Sequence, residues 1–229
     1  MSNNSSKKQT RSRSPEKKAA QFEKILEAGK ELFLEKGRDG FSLRGLAKIL
    51  GMNQNNLYNY VESKRELWIA IRNKFYAQYR EQTRKIIKEH KGSTKDLLMK
   101  IFDNFMVFAE NDFAAFAMMH LRESPPSDKI GPFEKEYREF NYLIGTAKVI
   151  QEAIEKEEIN FSNAGMLTFF TYSLVLGAAM VERHMRRVEQ DPKYKEDYAS
   201  ELLQFGKADF SREEFRNFLL ENIEKLLDS

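Results

Sequence analysis

Apolar residues recur every three to four positions along most of the chain, which is the spacing of one face of an α-helix. The first such run contains Phe22, Ile25, Leu26, Leu32 and Phe33. Ser14 and Pro15 before the run are typical of a helix N-cap and first turn, and Gly37 after it is typical of a helix end. The pattern therefore predicts a first helix over about 15–37.

Caps and glycines divide the remaining chain into further helices. Ser42 and Asn53 precede two short helices, and Ser63 and Ser211 each begin a capping box, with a Glu three residues later. The segment 124–132 interrupts the pattern because its prolines cannot continue a helix. The predicted helices after the first cover about 43–50, 54–60, 64–90, 94–110, 113–122, 133–157, 163–190 and 212–227. Since no stretch shows sustained strand alternation, the sequence predicts an all-α fold.

Residues 1–13 fall outside this pattern because they are polar and basic and hold no apolar residue able to anchor them. Such a composition predicts a disordered basic arm. The first twenty residues also lack the apolar stretch of a signal peptide. We therefore expect a soluble, cytoplasmic protein.

The charges are distributed unevenly along the 229-residue chain, although its net charge is only +3. Residues 1–88 hold 20 Lys and Arg against 9 Asp and Glu, a net charge of +11, whereas residues 89–229 have a net charge of −8. A basic end of this kind is typical of a surface that binds a polyanion, and the acidic remainder of a surface that faces water.

The composition excludes several kinds of site. The chain has no Cys, which excludes a disulfide scaffold, a zinc–thiolate site, an iron–sulfur cluster and a cysteine nucleophile. His90, His120 and His184 lie far apart in sequence, and none follows a Glu by three residues, so we expect neither a histidine metal site nor a di-iron bundle. The glycine motifs of hydrolases, phosphate loops and dinucleotide sites are absent. We expect no metal, no cofactor and no enzymatic activity.

The segment between residues 41 and 67 favours a helix-turn-helix. This unit needs a small residue where its helices cross and a Gly in its turn, and Ala47 and Gly51 meet both needs. The second helix then carries polar side chains that can bind base edges or phosphates in a major groove: Gln54, Asn55, Asn56, Tyr58 and Asn59. The alternative is that Asn53 is only an N-cap and that Asn55 and Asn56 are only solvated polar positions.

This segment resembles the tetracycline-repressor (TetR) family of transcriptional regulators. The resemblance is carried by residues 41–47 (FSLRGLA), 50–52 (LGM) and 57–67 (LYNYVESKREL), and it covers about 50 residues of the first four helices. It implies a helix-turn-helix DNA-binding domain over 14–67, following the arm at 1–13. Residues 68–229 would then form a helical bundle that binds an effector and dimerises.

The resemblance also implies roles for the matching residues, with a palindromic double-stranded operator as the partner. Ser42 and Lys64 would bind phosphate, Lys64 with help from the dipole of the fourth helix. Arg44 would bind phosphate or a guanine edge. The base-facing residues would be Gln54, Asn55 and Asn59, and the sugar–phosphate contacts Asn56, Tyr58 and Tyr60.

The acidic remainder holds 14 of the 18 Phe residues. The resemblance implies an effector between the middle helices, and Met and aromatic side chains suit an adaptable apolar pocket. Our hypothesis is a small apolar ligand, either aromatic or acyl. The candidate pocket residues are Phe102, Phe105, Phe116, Met119, His120, Tyr137 and Phe140. The alternative is that these residues are plain core.

Residues 164–181 run without a charge, at the lower limit of length for a membrane span. The Gly, Ser and Thr residues of this segment lower its mean hydropathy, which favours a helix buried on both sides over a membrane span. The resemblance implies a homodimer through about 163–190 and 212–227 and no membrane. We interpret the chain as a nucleoid-associated repressor that a small ligand releases from DNA. The alternatives are a regulator without an effector, an activator, or a protein-interaction module.

Overall fold

The computed structural model describes residues 14–127, 129–135, 137–138, 141–190 and 210–228. Within these ranges the chain forms helices and no strand, which confirms the predicted all-α fold. The predicted arm at 1–13 lies outside the described residues. The helices are α1 (Pro15–Gly40), α2 (Leu43–Ile49), α3 (Gln54–Leu57), α4 (Lys64–Glu89), α5 (Thr94–Asn111), α6 (Phe113–His120), α7 (Pro132–Lys135), a 3-10 turn (Asn141–Leu143), α8 (Ile144–Glu155), α9 (Ala164–Gln190) and α10 (Arg212–Leu227).

The chain packs as two units. The first, which we call the head, combines the residues up to Arg72 with the segment Arg122–Tyr137, which we call the strap. The second, the body, combines Asn73–Leu121 with the residues from Arg138 onward. The sequence placed the domain boundary at residue 67 and the strap in the second domain. In the structure, the start of α4 and the strap pack with the N-terminal helices.

The head has a glycine-assisted turn on each side of α2, and a short α3 follows the second turn. Gly37 (φ 68°) interrupts the helical backbone of α1, and Gly51 (φ 61°) forms the turn after α2. The predicted extension of α3 to residue 60 is wrong, because the Asn59 and Tyr60 N–H groups donate to carbonyls only three residues back. These tight turns end the helix at Leu57, which is fully buried.

A close approach of two helices completes the core of the head. A Cβ atom at Gly29 of α1 would lie 2.8 Å from Cδ1 of Ile71 in α4, so the Ile71 side chain packs directly against α1 and would have to shift to admit a larger residue there. The apolar side chains buried in the head include Ile25, Leu26, Phe33, Phe41, Leu46, Leu57, Val61 and Leu67.

The predicted helix over 133–157 is wrong, because the structure breaks it into two pieces. The short α7 ends at Lys135, Tyr137 and Arg138 are not helical, and the next described elements are the 3-10 turn at Asn141–Leu143 and α8. Phe133 and Tyr137 pack within the head, whereas Val149 and Ile150 are buried in the body. The chain therefore changes unit between the two pieces.

The core of the body is formed mainly by α5, α6, α8 and α9, and an ion network joins α5, α9 and α10. The Glu110 carboxylate accepts hydrogen bonds from Arg186 at 2.7 Å, Arg212 at 3.1 Å and Arg216 at 3.0 Å. Arg216 also donates to the buried Glu182 at 2.6 Å. The predicted capping box of α10 is present, since the Ser211 side chain and the Glu214 carboxylate each accept from the other's backbone N–H.

Candidate nucleic-acid interface and effector cavity

The side chains that precede α2 and α3 hold the two helices in place. Ser42 Oγ accepts from the Gly45 N–H at 3.0 Å, and Asn53 Oδ1 accepts from the Asn55 N–H at 2.9 Å. Between the helices, the Met52 N–H donates to the Ala47 carbonyl at 2.9 Å. The predicted phosphate ligand Ser42 therefore also serves as an N-cap, which fixes where α2 begins.

The outer surface of this helix-turn-helix is polar and basic. Arg44 and Lys48 of α2 are exposed, and no acidic residue lies on α2 or α3. Around α3 four of the predicted base-facing and sugar-contacting side chains are exposed as well, namely Asn55, Asn56, Tyr58 and Asn59, whereas Gln54 and Tyr60 are half-buried. Amide side chains flanked by cations can bind base edges and phosphates together.

Tyr60 and Lys64 are positioned by aromatic neighbours. The Tyr60 ring stacks on the Phe22 ring of α1 with centroids 5.8 Å apart and an interplanar angle of 11°. Nζ of Lys18 lies 5.7 Å from the centre of the same ring, and Nζ of Lys64 lies 5.8 Å from the centre of the Phe41 ring. The position of Tyr60 therefore depends on Phe22, a relationship that the sequence did not reveal.

Glu66 was predicted as half of a capping box with Ser63, but only the bond to Ser63 Oγ is observed, because the Glu66 carboxylate accepts from other backbone N–H groups. Its N–H donates to Ser63 Oγ at 3.0 Å, as the box requires. Its fully buried carboxylate accepts from the Glu62 N–H and, at 3.2 Å, from the Phe133 N–H in the strap. The start of α4 is thus bonded to a segment 67 residues further along the chain.

Other strap residues contact the head through both charge and rings. Arg65 forms an ion pair with Glu134 and donates to Ser124 Oγ. Tyr137 lies with its ring centre 6.0 Å from that of Trp68 and 5.0 Å from Cζ of Arg72. Tyr137, a predicted effector-pocket residue, is therefore placed in the head.

The body encloses a small cavity between α4, α5, α6, the 3-10 turn, α8 and α9. Three of the predicted pocket residues line it: Phe102, Phe105 and His120. The other lining residues are Tyr79, Ile101, Tyr142, Leu143, Thr146, Thr168, Tyr172 and Val175. Its volume is about 20 Å³, room for about one water molecule.

The other predicted pocket residues do not line this cavity. Phe116 and Met119 are buried in the body, and the Phe116 ring centre lies 5.2 Å from that of Phe105 and 4.8 Å from that of His120. Phe140 lies outside the described residues. Phe116 therefore packs against two residues that line the cavity, Phe105 and His120.

Polar groups of three elements meet at one side of the cavity. The Tyr172 hydroxyl lies 3.2 Å from Nδ1 of His120 and 3.3 Å from the Tyr142 hydroxyl. Tyr172 was not predicted from the sequence. Thr168, Tyr172 and Val175 of α9 share one helix face at spacings of four and three, and this pattern within an uncharged segment could have indicated it.

Tyr79 is a further polar group at the cavity wall. Burial raises the pKa of its hydroxyl to about 12, against the opposing effect of hydrogen bonds with Thr83 and Asn104. The group is therefore neutral at physiological pH. Among the described residues, no group of three His, Cys, Asp or Glu side chains could hold a metal ion.

Both the sequence and the fold of this chain are similar to those of known proteins. The sequence profile described as "Bacterial regulatory proteins, tetR family" matches residues 25–71, which lie within the head. The HTH-type transcriptional repressor NemR of Escherichia coli K12 is 25% identical over 80 residues. That match covers 35% of this chain and 40% of NemR, so the matched region spans less than half of the relative.

Solved structures match over most of the chain at low sequence identity, which shows the fold. FadR from Bacillus subtilis, solved in complex with stearoyl-CoA, has a TM-score of 0.64 and 15% identity, covering 87% of this chain and 96% of FadR. AibR, solved in complex with isovaleryl coenzyme A and operator DNA, has a TM-score of 0.60 and 15% identity, covering 88% and 96% of the two chains. The profile match shows that residues 25–71 belong to the TetR family of bacterial regulatory proteins, and the solved structures show that the fold is shared over most of the chain.

Proposed function

We propose that the chain is a cytoplasmic, homodimeric DNA-binding repressor that recognises a palindromic operator and is released by a small apolar ligand. The observation that carries this proposal is the exposed polar and basic surface of α2 and α3. Leu57 anchors α3 in the core while Asn55, Tyr58 and Asn59 remain exposed, Tyr58 by 49%. This is the arrangement by which a helix-turn-helix presents side chains to base edges.

Selection from a pool of random duplexes at two salt concentrations tests DNA binding. We expect an enriched palindrome whose affinity falls steeply with salt, because cations that bind phosphates release counterions. A pool that stays unenriched at both salt concentrations would contradict the proposal.

Two lysine variants make the test specific to the head. Lys48→Ala removes an exposed cation of α2, and the logarithm of the affinity should then depend less steeply on the logarithm of salt, by about 0.9 for one lost phosphate contact. Lys85→Ala removes an exposed cation of α4 in the body and serves as the control. If the affinities of the two variants depended equally on salt concentration, contact between α2 and DNA phosphates would be contradicted.

The dimer is proposed from the apolar surface that α9 and α10 leave exposed. Met166 and Phe169 of α9 and Phe218 of α10 are exposed by 66%, 51% and 65%. Exposed apolar area of this kind is typical of an interface. A second copy of the chain related by a twofold axis would cover it and present two heads to the two halves of a palindrome.

The same helix meets a length and composition test for a membrane span. Ala164–Arg187 is the one described helix that does so, with a mean hydropathy of 1.7 over its best window. Its inner face, however, carries the buried Glu182, which is paired with Arg216, and a Thr171 hydroxyl that donates to the Leu167 carbonyl. These contacts favour a core helix that packs in water and dimerises.

The effector is proposed to bind in the body at the cavity lined by Phe102, Phe105 and His120. FadR and AibR were solved with acyl-CoA ligands, so acyl-CoA thioesters are the first class to test. Because the cavity holds only about 20 Å³, an acyl chain could enter only if the aromatic side chains around it moved. Stearoyl-CoA or isovaleryl-CoA should release the operator, whereas free coenzyme A should not.

The small volume of the cavity also favours a second candidate, a regulator without an effector. A body that serves only for dimerisation would be packed in just this way. In that case no acyl-CoA, fatty acid or aromatic compound would change the operator affinity or the melting temperature of the protein.

A further inference from the structure

Three aromatic rings form a continuous stack between the strap and the end of the helix-turn-helix. The Phe133 ring of the strap stacks on the Phe22 ring of α1 with centroids 5.6 Å apart and an interplanar angle of 20°. Phe22 in turn stacks on Tyr60 at 5.8 Å and 11°. Phe22 therefore lies between a strap residue and a residue that is expected to contact the DNA backbone.

The strap backbone is held at the same place by the buried Glu66. The Phe133 N–H donates to the Glu66 carboxylate at 3.2 Å. Gly131, two residues before Phe133, passes so close that a Cβ atom there would collide with the carboxyl group of Glu66. The Arg65–Glu134 ion pair adds a third contact one residue further along the strap. These contacts fix where the Phe133 ring lies.

We infer that the strap is a positioning element of the DNA-binding surface, in which Phe133 sets the position of Tyr60 through the Phe22 ring. The inference rests on the proposed function and goes beyond it, because it gives a role in operator binding to residues outside the helix-turn-helix. Phe133 is a positioning residue here and contacts no DNA itself.

Offset-stacked rings restrict one another because part of each ring packs against the face of its neighbour. Without Phe133 the inner face of Phe22 loses its support, and the Tyr60 ring can tilt away from the position that it needs for a sugar or phosphate. A hydrogen bond to DNA depends on the distance and angle of the donor, so a small tilt weakens it.

A double-mutant cycle in the full-length protein tests the inference, with affinity measured on the duplex selected by the wild type. Phe133→Ala should lower the operator affinity by about fivefold to tenfold, and Tyr60→Ala by at least as much. In the Tyr60→Ala background, Phe133→Ala should change the affinity by less than about twofold. Independent fold-changes that multiply in the double variant would overturn the inference.

Two further substitutions separate the ring stack from folding. Phe133→Tyr keeps the ring and should bind within about twofold of the wild type. Phe133→Leu keeps an apolar side chain but not the ring, and it should lose affinity as Phe133→Ala does while melting cooperatively. Wild-type affinity in folded Phe133→Leu would contradict the role of the stack.

Gly131→Ala tests the strap without replacing a ring of the stack, because the added methyl group would overlap the Glu66 carboxyl group, and either that group or the strap backbone must move. We expect a loss of operator affinity similar to that of Phe133→Ala. Gly145→Ala in α8, where a Cβ atom meets nothing within 4 Å, is the matched control. If the wild type selects no duplex, the proposed function fails; if the wild type binds and Gly131→Ala binds equally well, only the positioning inference fails.

Discussion

The Tyr172 hydroxyl lies 3.2 Å from Nδ1 of His120, so a side chain of α9 is hydrogen-bonded to the last residue of α6. The Phe105 and Phe116 rings lie within 4.9 Å of the His120 ring, centre to centre, and the Tyr142 ring lies at 4.7 Å. His120 is thus surrounded by aromatic rings and bonded through a tyrosine hydroxyl. Tyr142 and Tyr172 both line the cavity, so a ligand bound there would lie close to their hydroxyl groups.

Tyr172→Phe should weaken effector binding while leaving DNA binding unchanged. The substitution removes the one hydroxyl that bonds both His120 and Tyr142 and keeps the ring. We expect the ligand concentration that half-releases the operator to rise about fivefold to tenfold, as for one lost hydrogen bond. Titration of the ligand against the operator complex measures this, and Tyr76→Phe, outside the cavity lining, is the control. A change in operator affinity without ligand would contradict it.

Glu110→Gln should make the protein less stable at neutral pH. Burial on its own would raise the pKa of the Glu110 carboxyl, but hydrogen bonds from Arg216 and Arg212 outweigh burial and lower it. Because the pKa is lower in the folded state, the carboxylate stabilises the fold above its unfolded pKa, and this stabilisation is lost as the pH falls through the folded pKa. Glu110→Gln should lower the free energy of unfolding at neutral pH by about 1–2 kcal/mol.

Urea unfolding at neutral and acidic pH measures this effect. The difference between wild type and Glu110→Gln should shrink once the pH lies below the folded pKa of the carboxyl. Glu221→Gln, on an exposed carboxylate of α10, is the control and should unfold as the wild type does. A constant difference at every pH would mean that packing, and not the charge of Glu110, is responsible.

Two glycine substitutions should act in opposite directions. Gly51→Ala places a side chain on a residue with φ 61°, which costs about 1–2 kcal/mol. Gly145→Ala lies in the helical backbone of α8 with nothing within 4 Å of the new Cβ, and it should stabilise by up to about 1 kcal/mol. Thermal unfolding of both variants checks the signs. A neutral Gly51→Ala would show that the turn can adopt another backbone conformation.

Phe169→Glu should convert the protein into folded monomers. The side chain is 51% exposed in the single chain and lies on the proposed dimer surface of α9, where a partner copy would bury the new charge. Sedimentation velocity should show the mass of one chain, with helical content unchanged. Ile144→Glu replaces another exposed apolar residue, on α8, and should remain dimeric. If Phe169→Glu remained dimeric, the dimer interface would have to lie on another surface.

Helix positions set by local interactions could be predicted from the sequence. Ser42, Asn53 and Ser211 each bond a backbone N–H two or three residues further on, so a short window of sequence holds both partners. The positive φ of Gly51 is likewise a property of one residue. This is why the helix-turn-helix and the start of α10 were found from the sequence alone.

Relationships between distant residues could not be predicted. Phe133 and Tyr137 have the spacing of one helix face, yet their partners are Phe22 and Trp68, between 69 and 111 residues away in sequence. Helical periodicity indicates that such residues are buried but not which unit buries them. The same limit explains why Tyr137 was assigned to the effector pocket and Tyr172 was not.

The polypeptide crosses between head and body three times, at residues 72–73, 121–122 and 137–138. The head is therefore formed by two separate segments of the chain and not by one continuous segment. A chimaera that exchanged residues 14–72 alone would pair one protein's Glu66 and Phe22 with another protein's strap. If the strap positions the DNA-binding surface as we propose, an exchange of operator preference requires residues 122–137 together with the helix-turn-helix, although about 50 residues separate the two segments in sequence.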